Sequence, residues 1–340
     1  MSRLVLDLAD TRPIFALPHD VVTAIRTAVP DWDVAVIRSP TSGTGDGVHR
    51  ASSRALEAVQ GGAEVYMGFG VPAELLREGP SLRWVHSGAA GVRGSLTPEL
   101  VRSDVVFTNS AGIHGPPVAE TVIGYLLHFA RGLDLAVRSQ AKGRWDKSAF
   151  DAEAAPVREL ASSTVGIVGL GGIGQEVAQR ARALGARVMG TRRRPVPVDG
   201  VEVLTGDGAL DRVLAESHYV VLTVPETEET TGLMDAATLA RMRTDAVLVN
   251  VSRGGLVDDD ALLEALEGRR LRGAALDTFS VEPLPEGHPL WTAPRTLITP
   301  HTSAYTHRFW DREAALLLDN LRRYRTGEPL RNVVDKVAGY

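Results

Sequence analysis

Residues Val165–Gly174 read VGIVGLGGIG, an apolar run that ends directly in Gly169, Gly171 and Gly174. This junction constrains the fold more than any other part of the chain. A buried strand has to turn sharply into the helical stretch Gln175–Leu184, and each glycine removes one steric obstacle to that turn. Gly169 permits the tight turn, Gly171 lets backbone amides approach a pyrophosphate, and Gly174 lets helix and strand pack closely. With Gly172 and Ile173 in the same turn, the helix aims its first N–H groups and its dipole at phosphate. The motif therefore predicts a dinucleotide-binding α/β domain.

The remaining sequence has the matching alternation. Arg3–Leu8, Val34–Ile37, Ala63–Met67, Leu82–His86 and Val105–Thr108 are short apolar runs suited to buried parallel strands. Amphipathic stretches at Asp20–Ala28, Arg50–Val59 and Pro72–Arg77 lie between them. The turn-rich Asn109–Pro117 ends this first domain, and Val118–Ala136 reads as one long apolar helix. Irregular residues Arg144–Leu160 read as an arm or subunit contact. Further strands are expected at Val165–Val168, Arg187–Gly190, Tyr219–Thr223, Ala246–Val251, Gly273–Leu276 and Thr296–Thr299, with a last helix at Ala304–Tyr324. The expected fold class is α/β with two doubly wound parallel-sheet domains. A flavodoxin-like substrate domain is expected over residues 1–112 and 305–340, and a Rossmann-type dinucleotide-binding domain over 113–304.

Composition excludes several alternatives. The net charge of −5 argues against nucleic acid as the main ligand. With no cysteine, disulfides, thiolate catalysis and cysteine-ligated metals are excluded, and no residue is expected to bind a metal. No apolar run reaches membrane-spanning length and no basic segment with an apolar core opens the chain, so a cytoplasmic location is expected.

Three polar residues beyond the glycine motif specify chemistry. Arg253 follows the strand Ala246–Val251, at a carboxyl strand end where such folds bind ligands. Its guanidinium can pair with a carboxylate and polarise a carbonyl. His301 has its intrinsic pKa near neutrality and can exchange a proton with a developing alkoxide. Glu282 would orient that ring and favour its protonated form. A base, a carboxylate and a guanidinium after a dinucleotide fold point to hydride transfer to a ketone bearing a carboxylate.

The strand after the glycines ends in Thr191-Arg192-Arg193-Arg194, where an NAD enzyme usually offers Asp or Glu to the ribose hydroxyls. Guanidinium groups bind phosphate by paired, charge-assisted bonds. NADP is the preferred cofactor on this reading, with NAD as the lesser alternative. Ser87-Gly88-Ala89-Ala90-Gly91 follows a first-domain strand, and its small side chains would expose backbone amides to a substrate carboxylate.

TNSAGIHGPPVAE, VGLGGIGQEVAQRARALGARV, VPETEETTGLMD, NVSRGGLVDDDAL, ALDTFSVEPLP and LITPH follow one another along the chain. In type and order these segments resemble the D-isomer-specific 2-hydroxyacid dehydrogenases over nearly the whole length. Ser252 where Ala is more usual, and Thr121 where His is common, are departures that remove no catalytic group. The resemblance implies proton transfer at His301 and a substrate loop at Ser87–Gly91. It implies cofactor contacts at Thr223, Pro225, Thr230, Val251 and Ser252, with Asp277 holding the nicotinamide carboxamide. It also implies a homodimer and a small 2-keto or 2-hydroxy acid as substrate.

Glyoxylate or hydroxypyruvate reductases fit best within that family, given the short chain and the basic cofactor turn. A D-3-phosphoglycerate dehydrogenase fits less well, since no regulatory domain follows the last helix, and formate dehydrogenases pair the histidine with glutamine. Another class, the nucleotide-sensing corepressors of the same architecture, keeps the same polar trio. Phe69, Met67 and Trp291 are candidates to line the side-chain pocket, and His114 and His288 to lie near the site.

Overall fold

A computed structural model describes residues 2–39, 50–151 and 157–339. It divides into two compact units, one running to His114 and resuming at Tyr305, the other spanning Gly115–Ala304. The reading from sequence set the division between residues 112 and 113; in the structure Gly115 opens a helix and starts the second unit.

The first unit contains β1 (Arg3–Asp7), β2 (Asp33–Val36), β3 (Val65–Gly68), β4 (Trp84–Ser87) and β5 (Val106–Asn109). They form one parallel sheet in the order β2-β1-β3-β4-β5. Side chains alternate between faces because strand periodicity is two. Leu4, Leu6, Val65, Met67 and Trp84 pack with helices His19–Ala28 and Phe309–Thr326. Val5, Tyr66, Val85 and Phe107 pack on the opposite face, against helices Ser53–Gln60 and Ala73–Glu78. Both faces are covered, which explains why the strands read as continuous apolar runs.

The second unit contains β6 (Thr164–Val168), β7 (Arg187–Thr191), β8 (Glu202–Leu204), β9 (Tyr219–Leu222), β10 (Val247–Asn250), β11 (Gly273–Leu276) and β12 (Thr296–Ile298). All seven are parallel, in the order β12-β11-β10-β9-β6-β7-β8. Val247 and Val249 face helices Gly115–Ala130 and Gly172–Ala183, while Leu248 faces helix Asp259–Glu267. The chain moves outward from β6 in both directions, so a topological switch point lies between β6 and β9. Ligands of such sheets bind beyond the carboxyl strand ends at that crevice.

Two expectations need correction. The single helix Val118–Ala136 is two helices, Gly115–Ala130 and Leu133–Ala141. Gly132 between them has φ 65°, and a Cβ there would lie 2.7 Å from the Phe150 ring. The left-handed glycine breaks a run whose apolar character continues through the junction. β8 went unanticipated: it is three residues long, half-buried, and among the described residues pairs only with β7. The expected arm Arg144–Leu160 includes the short helix Ser148–Asp151, and its residues 152–156 lie outside the described residues. No helix among the described residues is long and apolar enough to cross a membrane.

Candidate active site

The glycine turn sits at the switch point. Gly169 has φ 102°, and a side chain there would press on the backbone of Thr223 and Val224 at 3.1 Å. A Cβ on Gly174 would lie 2.2 Å from the Gly169 carbonyl, so only glycine lets the helix come this close. Space above Gly171 and Gly172 is open, since an added Cβ on either meets nothing within 4 Å. Gly171 caps the helix Gly172–Ala183 without any side-chain hydrogen bond. Open space facing uncapped first-turn amides suits a pyrophosphate, so these residues fit a dinucleotide.

Hydrogen bonds hold the turn rigid. Thr223 Oγ1 donates to Gly169 O at 2.6 Å, and Gly169 N donates to Thr191 Oγ1 at 3.1 Å. Thr191 therefore faces the glycine turn, while Arg193 and Arg194 are exposed and Arg192 half-exposed at the end of β7. Arg192 reaches Val196 O at 3.3 Å, and Arg193 lies 3.8 Å from Glu229. Thr230 Oγ1 donates to Pro225 O at 2.7 Å, closing the loop beyond β9. Ile173 packs on the core beneath the turn, where Val251 is buried.

Arg253 and Ser252 leave the carboxyl end of β10. Asn250 shapes that bend: its Nδ2 donates to Arg253 O at 2.9 Å and its Oδ1 accepts from Ser252 N at 3.1 Å. Ser252 Oγ donates to Val224 O, tying the bend to the loop after β9. Sequence reasoning missed Asn250; the available signal was an amide at a buried strand end two residues before a polar turn.

His301 Nδ1 lies 2.7 Å from Glu282 Oε2, and Phe279 N donates to Glu282 Oε1 at 3.0 Å. Both side chains are about one-third exposed, at 34% and 36%. The hydrogen bond to Glu282 raises the His301 pKa above the ordinary histidine value, outweighing desolvation and the nearby Arg253 charge. Burial pushes the Glu282 carboxyl up, but hydrogen bonds from His301 and Phe279, with Arg253 close by, leave it below the usual range. His301 also has φ 52°, a conformation that side-chain-bearing residues seldom adopt.

Asp277 explains how that conformation is held. It is fully buried, and its carboxylate accepts from Thr302 N at 2.9 Å, Ser303 N at 3.0 Å and the Thr299 hydroxyl. His301 N donates to the Asp277 carbonyl at 2.9 Å. The side chain expected to meet nicotinamide thus lies under the loop that carries the histidine. Tyr125 adds a bond to Thr299 Oγ1, a support that no motif announced.

The Ser87–Gly91 loop belongs to the first unit, at the carboxyl end of β4. Gly88 N donates to Gly68 O at 2.7 Å, and Asn109 Nδ2 donates to Ala90 O at 2.8 Å. Met67 is fully buried in the core, while Phe69 packs against Phe309 and Trp291 is half-exposed. His114 stacks on Phe309, and His288 caps the turn Pro289–Trp291 through Leu290 N.

Residues 123–303 match the family model for the D-isomer specific 2-hydroxyacid dehydrogenase NAD binding domain. A glyoxylate reductase of Korarchaeum cryptofilum is 33% identical over 270 residues, covering 78% of this chain and 80% of that protein. A D-isomer specific 2-hydroxyacid dehydrogenase of Xanthobacter autotrophicus Py2, solved with NADPH and MES, has TM-score 0.80 and 32% identity, covering 100% of this chain and 99% of that one. An NADPH-dependent glyoxylate/hydroxypyruvate reductase of Sinorhizobium meliloti, solved with NADP and sulfate, has TM-score 0.81 and 29% identity, covering 100% of both chains. The glycine turn at the switch point, the His301–Glu282 pair and these matches together make the chain an NAD(P)-dependent oxidoreductase belonging to the D-isomer-specific 2-hydroxyacid dehydrogenases.

Proposed function

We propose that this enzyme uses NADPH to reduce a small 2-keto acid of the glyoxylate or hydroxypyruvate type to the D-2-hydroxy acid in the cytoplasm. The observation that carries this reading is the 2.7 Å pair of His301 Nδ1 and Glu282 Oε2. With Nδ1 committed to the carboxylate, Nε2 makes no hydrogen bond among the described residues and is the atom that can exchange a proton.

When bound, the cofactor supplies the hydride. Gly171, Gly172 and Ile173 offer it backbone amides, and Arg192 to Arg194 offer positive charge to a 2′-phosphate. Thr223, Pro225, Thr230, Val251 and Ser252 would contact the bound cofactor, a reading supported by the bonds from Thr223 to the glycine turn and from Ser252 to the loop after β9. Arg253 pairs with the substrate carboxylate and draws charge onto the carbonyl oxygen. His301, whose protonated form Glu282 favours, gives its Nε2 proton to the oxygen as negative charge develops there; in the reverse reaction the neutral ring takes it back. Asp277 holds the His301 loop at the required conformation. The amides of Ser87–Gly91 bind the carboxylate of a 2-keto acid.

The NADPH preference is supported by three arginines where an acid would otherwise bind ribose, and by the NADPH and NADP in the two solved relatives. Steady-state kinetics with a panel of 2-keto acids and both cofactors test the reading. Highest kcat/KM for glyoxylate or hydroxypyruvate with NADPH is expected. Preference for a phosphorylated keto acid would move the enzyme to another subgroup, and tight cofactor binding without turnover would favour a sensor. A homodimer is supported by Leu133, Val137 and Trp145, exposed at 47%, 56% and 94%. Light scattering should give twice the 36.4 kDa chain mass at micromolar concentration; the monomer mass would end that reading.

A further inference from the structure

A buried polar cluster at the carboxyl side of the first sheet is not used by the reaction as read above. Trp84 and His86 on β4, Thr108 on β5, Ser110 just beyond it and Glu313 from helix Phe309–Thr326 are all 0% exposed. Buried polar atoms must find partners within the protein. Trp84 Nε1–H donates to Thr108 Oγ1 at 2.8 Å, and Thr108 Oγ1 lies 2.9 Å from His86 Nδ1, to which its hydroxyl donates in the tautomer that carries the ring proton on Nε2. His86 Nε2–H donates to Glu313 Oε1 at 3.0 Å, and the Ser110 hydroxyl donates to Glu313 Oε2 at 2.8 Å. With each proton used once, the chain of bonds runs from Trp84 to Glu313, where Ser110 meets it.

Ser110 connects this cluster to the loop Ser87–Gly91. Its Oγ lies 3.1 Å from Ser87 O, and its N–H donates to Ala89 O at 3.4 Å. Beside it Asn109 Nδ2 holds Ala90 O at 2.8 Å. A trans peptide points its N–H opposite its C=O. Drawing the Ala89 and Ala90 carbonyls toward Asn109–Ser110 therefore turns the Ala90 and Gly91 N–H groups the other way. Neither amide makes a hydrogen bond among the described residues.

Burying His86 and Glu313 costs desolvation that a hydrocarbon pair of equal volume would avoid. What the polar pair adds is direction. We propose that Glu313, His86 and Ser110 are positioning residues, which hold the 87–91 backbone so that two adjacent amides form a ready-made site for the substrate carboxylate. The proposal rests on the reading of that loop as the carboxylate site. Glu313 lies more than two hundred residues from the loop in sequence, and no motif contains it.

The test uses NADPH-loaded enzyme with Ser110→Ala, which deletes one oxygen, and Glu313→Gln, which keeps the shape. Disturbing one charge-assisted contact predicts a KM for the preferred 2-keto acid raised about tenfold. The kcat should stay within about threefold, and the NADPH affinity and the pH profile set by His301 should not change. Hydrogen exchange of the 87–91 segment should slow when oxalate binds wild type, and should be faster in both variants without oxalate. If oxalate gives wild type no protection there, the loop is not the carboxylate site. If it does protect, yet both variants keep wild-type KM and exchange, the positioning role is refuted. Equal losses of kcat and NADPH affinity, with a lowered melting temperature, would mark the cluster as a packing element and also refute it. Should Glu313→Gln fail to fold, Ser110→Ala decides alone.

Discussion

Replacing Glu282 with Gln tests how the proton donor is set. Glutamine keeps one acceptor oxygen where the carboxylate uses two, Oε1 for the Phe279 N–H and Oε2 for His301 Nδ1–H, so with that oxygen turned to His301 the ring keeps its partner while the charge and the Phe279 bond are lost. Nδ1 and Oε2 lie 2.7 Å apart, and unit charges about 4 Å apart interact by about 1 kcal/mol in water and about 4 kcal/mol near a protein surface. With 34% and 36% of the two side chains open to solvent, the screened end applies, about 1–2 kcal/mol. Losing that interaction removes the largest cause of the raised His301 pKa, so the pKa should fall. The sign follows from the direction of the shift: the folded pKa is raised, so the donor form persists above the ordinary histidine value and is lost as pH rises through the folded pKa. In kcat/KM for keto-acid reduction, the descending limb should move to lower pH in Glu282→Gln, with NADPH affinity measured by fluorescence unchanged. A limb that stays in place, or moves to higher pH, would show that Glu282 does not set the proton donor.

Three further outcomes follow from the same geometry. Arg253→Lys should raise KM and lower kcat together, costing about a hundred- to a thousandfold in kcat/KM because an ammonium cannot pair bidentately; near-normal kinetics would remove Arg253 from the reaction. Arg192→Asp should reverse an NADPH preference of roughly ten- to a hundredfold, since one productive guanidinium–phosphate contact contributes about 1.5–3 kcal/mol; equal use of both cofactors, before and after the change, would place the arginines in solvent. Gly174→Ala puts a Cβ 2.2 Å from the Gly169 carbonyl, so calorimetry should record an NADPH affinity at least about tenfold weaker; wild-type affinity would refute the close-packing argument.

Most strands of the two sheets were legible because they are buried on both faces, which forces a continuous apolar run on the sequence. β8 escaped because an edge strand of three half-buried residues needs no such run. The break at Gly132 escaped because glycine inside an apolar stretch is tolerated by either reading, and only packing against Phe150 distinguishes them. Local patterns carry no information about contacts with distant residues, and both misses are of that kind.

The same division holds for the site. The glycine turn, and Arg253, Glu282 and His301 as site candidates, were legible in the sequence because each lies in a short motif whose chemistry depends on residue type and order. The sequence therefore determined the fold class, the dinucleotide motif and the family resemblance. Tertiary structure decided what surrounds those residues. Asp277 fastens the His301 loop, Asn250 shapes the bend before Arg253, and Glu313 reaches Ser110 beneath the Ser87–Gly91 loop. These roles depend on hydrogen-bond direction and burial between segments far apart in the chain, and both quantities exist only once the backbone has closed around them.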